Sequence, residues 1–223
     1  MLDIFSAINT RNSIREYENT EIPMEEIERI VRTAGQAPSS KNTQPWKLFL
    51  VRGQAMEAMR NDFLQGFDEG MKPHPDFAYS PNPLPAPSLK LARECGIGIF
   101  QHKGIGREDK DKRHLHNREN FAFFGAPHIF VLGVDKDNFT HGTVMDCGFV
   151  LNNIMNLLTA QGYGSCPQYT PAAYPDLLRK HIPNSENILM ITGLPFGTPK
   201  KDSHVNKYQP ARLPIEEWFS VVE

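Results

Sequence analysis

The segment Met145 to Gln161 constrains the fold more than any other. Cys147, Val150, Leu151, Ile154, Leu157 and Leu158 recur at helical spacing and form a wide apolar face. Gly162 follows directly, where the terminating glycine of a helix belongs. An apolar face of that width has to be buried. At 223 residues the chain is long enough to bury a sizeable core around it within one large domain.

Shorter patterns flank this helix. Leu2–Thr10 reads as a helix with Ile4, Phe5 and Ile8 on one face, and Met24, Ile27, Ile30 and Val31 repeat at helical spacing after Pro23. Leu48–Val51, His128–Val134 and Ile188–Thr192 read as strands, Ala55–Phe67 as a helix, and the highly charged run Arg107–Asn120 as a solvated helix. Leu89–Ile105 is apolar with embedded glycines. Six prolines between Pro73 and Pro87 exclude regular helix and central strand from Lys72–Pro87. Loops of this length inside compact chains are usually lids or linkers. With patterned chain on both sides, a lid-like insertion at about 66–93 is the expectation, with Phe77 and Tyr79 available to stack on a flat molecule. The apolar tail, with Leu213, Ile215, Trp218, Phe219 and Val221, needs something to cover. Hydrophobic content is a modest 39%, which makes a second subunit the natural partner.

Composition removes several functions. A formal net charge of -2 leaves no basic footprint for nucleic acid and no polybasic membrane patch. No apolar run approaches the roughly 20 residues of a membrane span, and the N-terminus lacks a signal-peptide core. Cys95, Cys147 and Cys166 form no CxxC pair, which argues against zinc-ribbon and thioredoxin chemistry and for a reducing cytoplasm. No HExxH, GxSxG or Rossmann GxGxxG occurs.

The chemistry-bearing residues lie in loops. In APSSKNTQPW, Ser39, Ser40, Asn42 and Gln44 can each donate and accept hydrogen bonds between a helix and a strand. They suit a flat polar ring such as an isoalloxazine or a nicotinamide, although Ser and Asn also favour turns for local reasons. In RNSIR, an extended backbone would point Arg11, Ser13 and Arg15 the same way, two guanidiniums flanking a hydroxyl as a compact anion site. Arg212, in QPARLP, is a second source of positive charge for the same anion, with Lys200 and Lys201 in reserve. Gly162–Tyr169, GYGSCPQY, lets backbone approach a flat ligand closely. Cys166 reads as a small structural thiol, since no histidine or nucleophile signature accompanies it.

In order along the chain, RNSIREY, APSSKNTQPW, LNNIMNLLTAQGYGSCP, ITGLPFG and QPARLP resemble the nitroreductase family of FMN-dependent oxidoreductases nearly end to end. IGREDKDKRHLHNRENFAFFGAP is similar to its nitrobenzene and nitrobenzoate reductase branch. The resemblance implies an α+β fold, a mostly antiparallel central sheet sandwiched by helices, in an intertwined homodimer with FMN at two interface sites. It implies that Arg11, Asn12, Ser13, Arg15 and Arg212 hold the phosphate and ribityl chain. Pro38, Ser39, Ser40, Asn42 and Gln44 would line the flavin from its edge or from the other subunit. Pro167, Gln168 and Tyr169 would meet the ring near its reactive nitrogen. Pro167-Gln168 stands where commoner members carry tryptophan after the cysteine, and Asn12 replaces a frequent basic residue. The implied reaction is ping-pong: NAD(P)H reduces FMN and leaves, and a nitroaromatic, quinone or similar electron-poor small molecule takes its place. No catalytic side chain and no metal are needed. Alternatives on the same fold are a dehalogenase, a flavin-fragmenting enzyme and a non-catalytic flavin-binding or redox-sensing protein.

Overall fold

The computed structural model describes residues 1–223. Four strands, β1 (Trp46–Arg52), β2 (His128–Asp135), β3 (Gly164–Ser165) and β4 (Ile188–Gly197), form one antiparallel sheet in the order β1-β2-β4-β3. Helices α1 (Ile4–Thr10), α2 (Met24–Ala34), α3 (Gly53–Asp68), α4 (Ala86–His102), α5 (Lys110–Phe121), α6 (His141–Ala160) and α7 (Pro175–His181) surround it. The expected α+β sandwich is therefore what forms.

Alternation along β2 divides the core. Phe130, Leu132 and Val134 join Ile27 and Ile30 of α2 and Val150, Ile154 and Leu158 of α6 on one face. Ile129 and Val131 join Met56, Met59 and Phe63 of α3 and Leu178 of α7 on the other. In β4 the alternation changes partway. Ile188 and Met190 face the α3 side, whereas Leu194 and Phe196 face the α6 side. All four are even-numbered, so an unbroken strand would hold them on one face. Leu132 pairs with Thr192 and Gly133 with Met190, which leaves Ile191 as the extra residue of a bulge that resets the register. The bulge carries the strand to Gly197, past the Gly193 and Pro195 at which the sequence pattern ends it.

The central helix begins four residues before Met145, because Thr140 and Thr143 form a reciprocal capping box. It ends as expected: Gly162, at φ +84°, donates to Thr159 O at 3.0 Å, and Tyr163 donates to Leu158 O at 2.9 Å. Charged α5 buries no residue and is tied to α3 by a two-pronged Arg118–Asp68 pair at 2.8 Å. Helix α7, only seven residues long with Pro175 in its first turn, is too short to stand out by periodicity.

The proline-rich stretch divides into two parts. The non-helical connection runs from the end of α3 to Pro85, and Ala86-Pro87 already form the first turn of α4, where proline is tolerated. Asp76 accepts hydrogen bonds from Arg179 (2.6 and 2.8 Å) and from the Met190 amide (2.9 Å), and the Phe77 ring lies 5.0 Å from that of Phe139 against the core. Tyr79, beyond this anchor, is exposed and stacks on Tyr169 at 4.4 Å. Several large apolar side chains have no cover within the chain: Ile4, Phe5 (77% exposed) and Ile8 on α1, Met145 and Phe149 on α6, and Trp218 (66%) and Phe219 in the tail.

Candidate functional site

Beyond α1 the chain runs extended. Ser13 pairs with Ser165 as a parallel bridge, and the Ile14 amide donates to Ser165 O at 3.0 Å. On its other side this strand is held by Asn206. The Asn206 Oδ1 accepts from the amides of Arg15 (2.8 Å) and Glu16 (3.1 Å), and its Nδ2 donates to Glu16 O (2.7 Å). Asn12 donates through Nδ2 to Asn206 O at 2.5 Å, so its amide binds the loop that leads to Arg212.

Three guanidiniums lie around Cys166 and Tyr208 without an ion-paired carboxylate. Arg11, Arg15 and Arg212 take part in none of the ion pairs of the chain. Burial, and then the charge of Arg212, hold the Arg11 guanidinium below its ordinary range. Residues some two hundred positions apart are thus close enough to repel each other. Arg15 donates to Ser13 O at 3.1 Å and sits 6.0 Å from the centre of the Phe124 ring, which aims its fork. Such a cluster calls for a phosphate or another planar-forked anion. Burial pushes the Cys166 thiol up, which fits a packed neutral thiol and not a nucleophile.

The Pro38–Gln44 loop is a separate structure. Lys41, Asn42 and Gln44 all have positive φ (51°, 58° and 46°). Left-handed backbone at non-glycine residues costs about 1–2 kcal/mol each. Four contacts hold it: the Gln44 amide donates to Ser39 Oγ (2.9 Å), the Asn42 amide to Ser39 O (3.0 Å), the Thr43 amide to Ser40 O (3.1 Å), and the Ser40 amide to Asp146 Oδ2 (3.2 Å). Asp146 is a buried carboxylate on α6, only 2% exposed. Pro38, Ser40, Asn42 and Gln44 remain exposed, and Gln44 Nε2 donates to Asn42 Oδ1 at 3.1 Å. Strain held in place beneath exposed polar groups is typical of binding loops.

The two regions attach to opposite ends of α6. The loop binds at Asp146, while Leu2 donates to Ala160 O and Ser165 lies just beyond. Asp146 and Ala160 are about fourteen residues apart, roughly 20 Å of helix. A single chain therefore gathers Arg11, Ser13, Arg15 and Arg212 in one place and Pro38–Gln44 in another.

The 164–169 turn runs from the arginine cluster along β4. Cys166 donates to Pro195 O (3.0 Å), and Gln168 exchanges two backbone hydrogen bonds with Gly193 (2.8 and 3.0 Å). Pro167 is exposed, Tyr169 carries the Tyr79 ring, and the Gln168 amide is buried and donates to Asn120 Oδ1 at 2.5 Å. Two buried atoms of this turn, Ser165 Oγ and Gln168 Oε1, have no hydrogen-bond partner. An unsatisfied Ser165 hydroxyl beside the arginine-bearing strand, with an unsatisfied Gln168 carbonyl further along the turn, fits a phosphorylated, hydrogen-bonding ligand, and FMN has that chemistry. The groups the sequence did not single out are Asn206, Asn120 and Asp146. Only Asp146 left a signal, as a lone carboxylate inside the apolar pattern of α6.

Comparison with known proteins gives the family. The nitroreductase family model matches residues 8–197. Nitroreductase NfnB of Mycolicibacterium smegmatis is 28% identical over 210 residues, covering 94% of this chain and 88% of its own. The chloronitrobenzene nitroreductase of Comamonas testosteroni is 26% identical over 218 residues, covering 96% and 95%. The crystal structure of the FMN and NADPH-dependent nitroreductase NfnB from Sphigopyxis sp. strain HMH superimposes with a TM-score of 0.94 at 25% identity, covering all of both chains. With its five sequence blocks in order and its fold matched end to end, the chain belongs to the nitroreductase family, on the nitrobenzene and nitrobenzoate reductase side.

Proposed function

We propose that the chain is an FMN-dependent oxidoreductase that passes reducing equivalents from NAD(P)H to nitroaromatic, quinone or similar electron-poor acceptors by a ping-pong mechanism. The observation that carries this reading is the set of three unpaired arginines around Ser13 and Ser165, in a family whose relatives are nitroreductases. Arg11, Arg15 and Arg212 hold the FMN phosphate and Ser13 the ribityl chain. Ser39, Ser40, Asn42 and Gln44 line the ring, and the 167–169 turn meets its edge. Bound FMN supplies the electron relay between donor and acceptor. The protein's part is binding, orientation and exclusion of water. Buried, protonated Cys166 takes no part in bond-making.

The working unit is a homodimer. Exposed Met145 and Phe149 on α6, the bare face of α1 and the apolar tail supply the contact surface. A two-fold axis across α6 runs the two copies of that helix antiparallel and brings the Ser40 loop of one protomer to the arginine cluster of its partner. The chain acts in the cytoplasm, and no helix is long and apolar enough to cross a membrane. The Tyr79 portion of the proline-rich loop forms a cover over the ring.

The test is an anaerobic stopped-flow measurement on the purified yellow protein. NADH or NADPH should bleach the flavin absorbance, and 4-nitrobenzoate or a quinone should restore it. Protein that takes up no FMN, or flavin that neither nucleotide reduces, would falsify the reading.

A further inference from the structure

We infer that Asn206 is the positioning residue that assembles the phosphate end of the site, and that through it the protein selects FMN over unphosphorylated flavin. The inference rests on the phosphate assignment above. Arg11 and Arg15 stand on the N-terminal strand, and Arg212 stands on an exposed segment without regular structure. Backbone pairing joins the N-terminal strand to this part of the chain only at the Tyr17–Pro199 bridge, where the Lys200 amide donates to Glu16 O at 3.0 Å, upstream of Asn206. A single side chain makes most of the junction: Asn206 takes two backbone N–H groups and one carbonyl of Arg15-Glu16, while its own carbonyl accepts the Asn12 amide. A carboxamide carries its acceptor oxygen and its donor nitrogen on separate atoms, which suits this set of contacts. Aspartate would accept but not donate, and leucine would leave the Arg15 and Glu16 amides unpaired, with Glu16 O keeping only the Lys200 amide.

A second contact fixes the path from Asn206 to Arg212. The Tyr208 ring packs against α4 at Gly98, where a Cβ would lie 2.3 Å from the ring carbon Cε2. Only glycine allows that approach. Tyr208 O also lies 3.5 Å from Asn12 Nδ2. Asn206 and Tyr208 thus aim the chain from either side of Lys207, a few residues before Arg212, without themselves being placed on the phosphate.

Riboflavin separates this role from general support of the fold, because it keeps the ring and ribityl chain and lacks the phosphate. Dissociation constants for FMN and for riboflavin are measured on the full-length protein for wild type, N206A, N206D and G98A. Wild type should prefer FMN strongly. N206A should lose about tenfold or more of that preference, as expected when one charge-assisted contact is misplaced, with riboflavin binding within about twofold of wild type. N206D should fall between, and G98A should reproduce the loss from the other side. If N206A does not fold, N206D and G98A carry the same test. Equal weakening for both flavins, or an unchanged FMN preference in these variants, overturns the inference. A wild type that binds FMN no better than riboflavin overturns the phosphate assignment instead.

Discussion

The arginine cluster and the Pro38–Gln44 loop solve the same problem by different means. In the first, groups about two hundred residues apart are joined by long-range hydrogen bonds through Asn12 and Asn206. In the second, most bonds span five residues or fewer, and a single long-range contact, Ser40 to Asp146, sets the loop on the scaffold. The cluster is made by topology, and its charge stands unpaired. The loop is made by local chemistry and carries positive φ angles. On the proposed reading, recognition of charge rests on convergence of distant parts, whereas recognition of a ring edge rests on a few amides held in an unusual backbone shape.

That contrast can be broken most sharply by mixing. A chain with Arg11→Ala and a chain with Ser40→Ala and Asn42→Ala should each retain little FMN. If each site takes its arginines from one protomer and its loop from the other, random reassembly of the two should restore about a quarter of wild-type flavin content. Flavin absorbance per chain after mixing reads the result, and no recovery means that both halves come from the same protomer. Next in size, Arg11→Ala or Arg212→Ala alone should weaken FMN binding about ten- to hundredfold, from the loss of one charge-assisted contact of about 1.5–3 kcal/mol. Unaltered fluorescence titrations for both would remove the phosphate from the cluster.

The proline-rich stretch offers a smaller test. Phe77→Ala should lower stability by about 2 kcal/mol, because that ring packs on Phe139 and the core, and should leave acceptor preference alone. Tyr79→Ala should do the reverse, shifting kcat/KM ratios among acceptors at constant FMN affinity. Chemical denaturation and steady-state kinetics distinguish the two, and identical behaviour would show that the stretch acts as one structural piece. In the loop, Ser39→Ala removes the acceptor of the Gln44 amide and should cost about 1 kcal/mol in urea unfolding.

The smallest effect is a pH dependence outside both regions. His128 is fully buried at the start of β2, and burial, followed by the charge of Arg52, lowers its pKa. The folded state therefore holds it neutral. Stability from this group is complete above its unfolded value near 6.5, within about a unit, and declines as pH falls through that value toward the lower folded one. A Tm that is level between pH 8 and 5 would contradict the assignment. His128→Phe should flatten the decline.

Much of this was legible before any coordinates. Periodicity exposed α2, α3 and α6, because each has one face that packs and one that does not. Charge density exposed α5, and the five blocks include Arg11 and Arg212, which the fold brings close together. What escaped was whatever depends on a partner elsewhere in the chain. The Ile191 bulge is invisible until β2 is laid beside β4, since only the register of the pair creates it. Asn206 is one asparagine among several until its strand partner is known. Helix α7 is too short to establish a period, and the start of α6 was hidden by hydrophilic residues that cap rather than pack. Phe77 and Tyr79 looked equivalent in sequence, yet the Asp76 anchor places one against the core and leaves the other at the surface.

Helix α6 has a consequence as a measuring rod. It carries the loop contact near one end and the β3 turn just past the other, so its residue count sets both their spacing and their relative rotation. One residue added between Asp146 and Ala160 would turn everything beyond it by about 100° and advance it about 1.5 Å. Side chains that now pack would then point outward. A surface loop can change length without this penalty, whereas any change in the interval between these two positions carries it. Natural variants should accordingly differ in size between α3 and α4 and agree in size here.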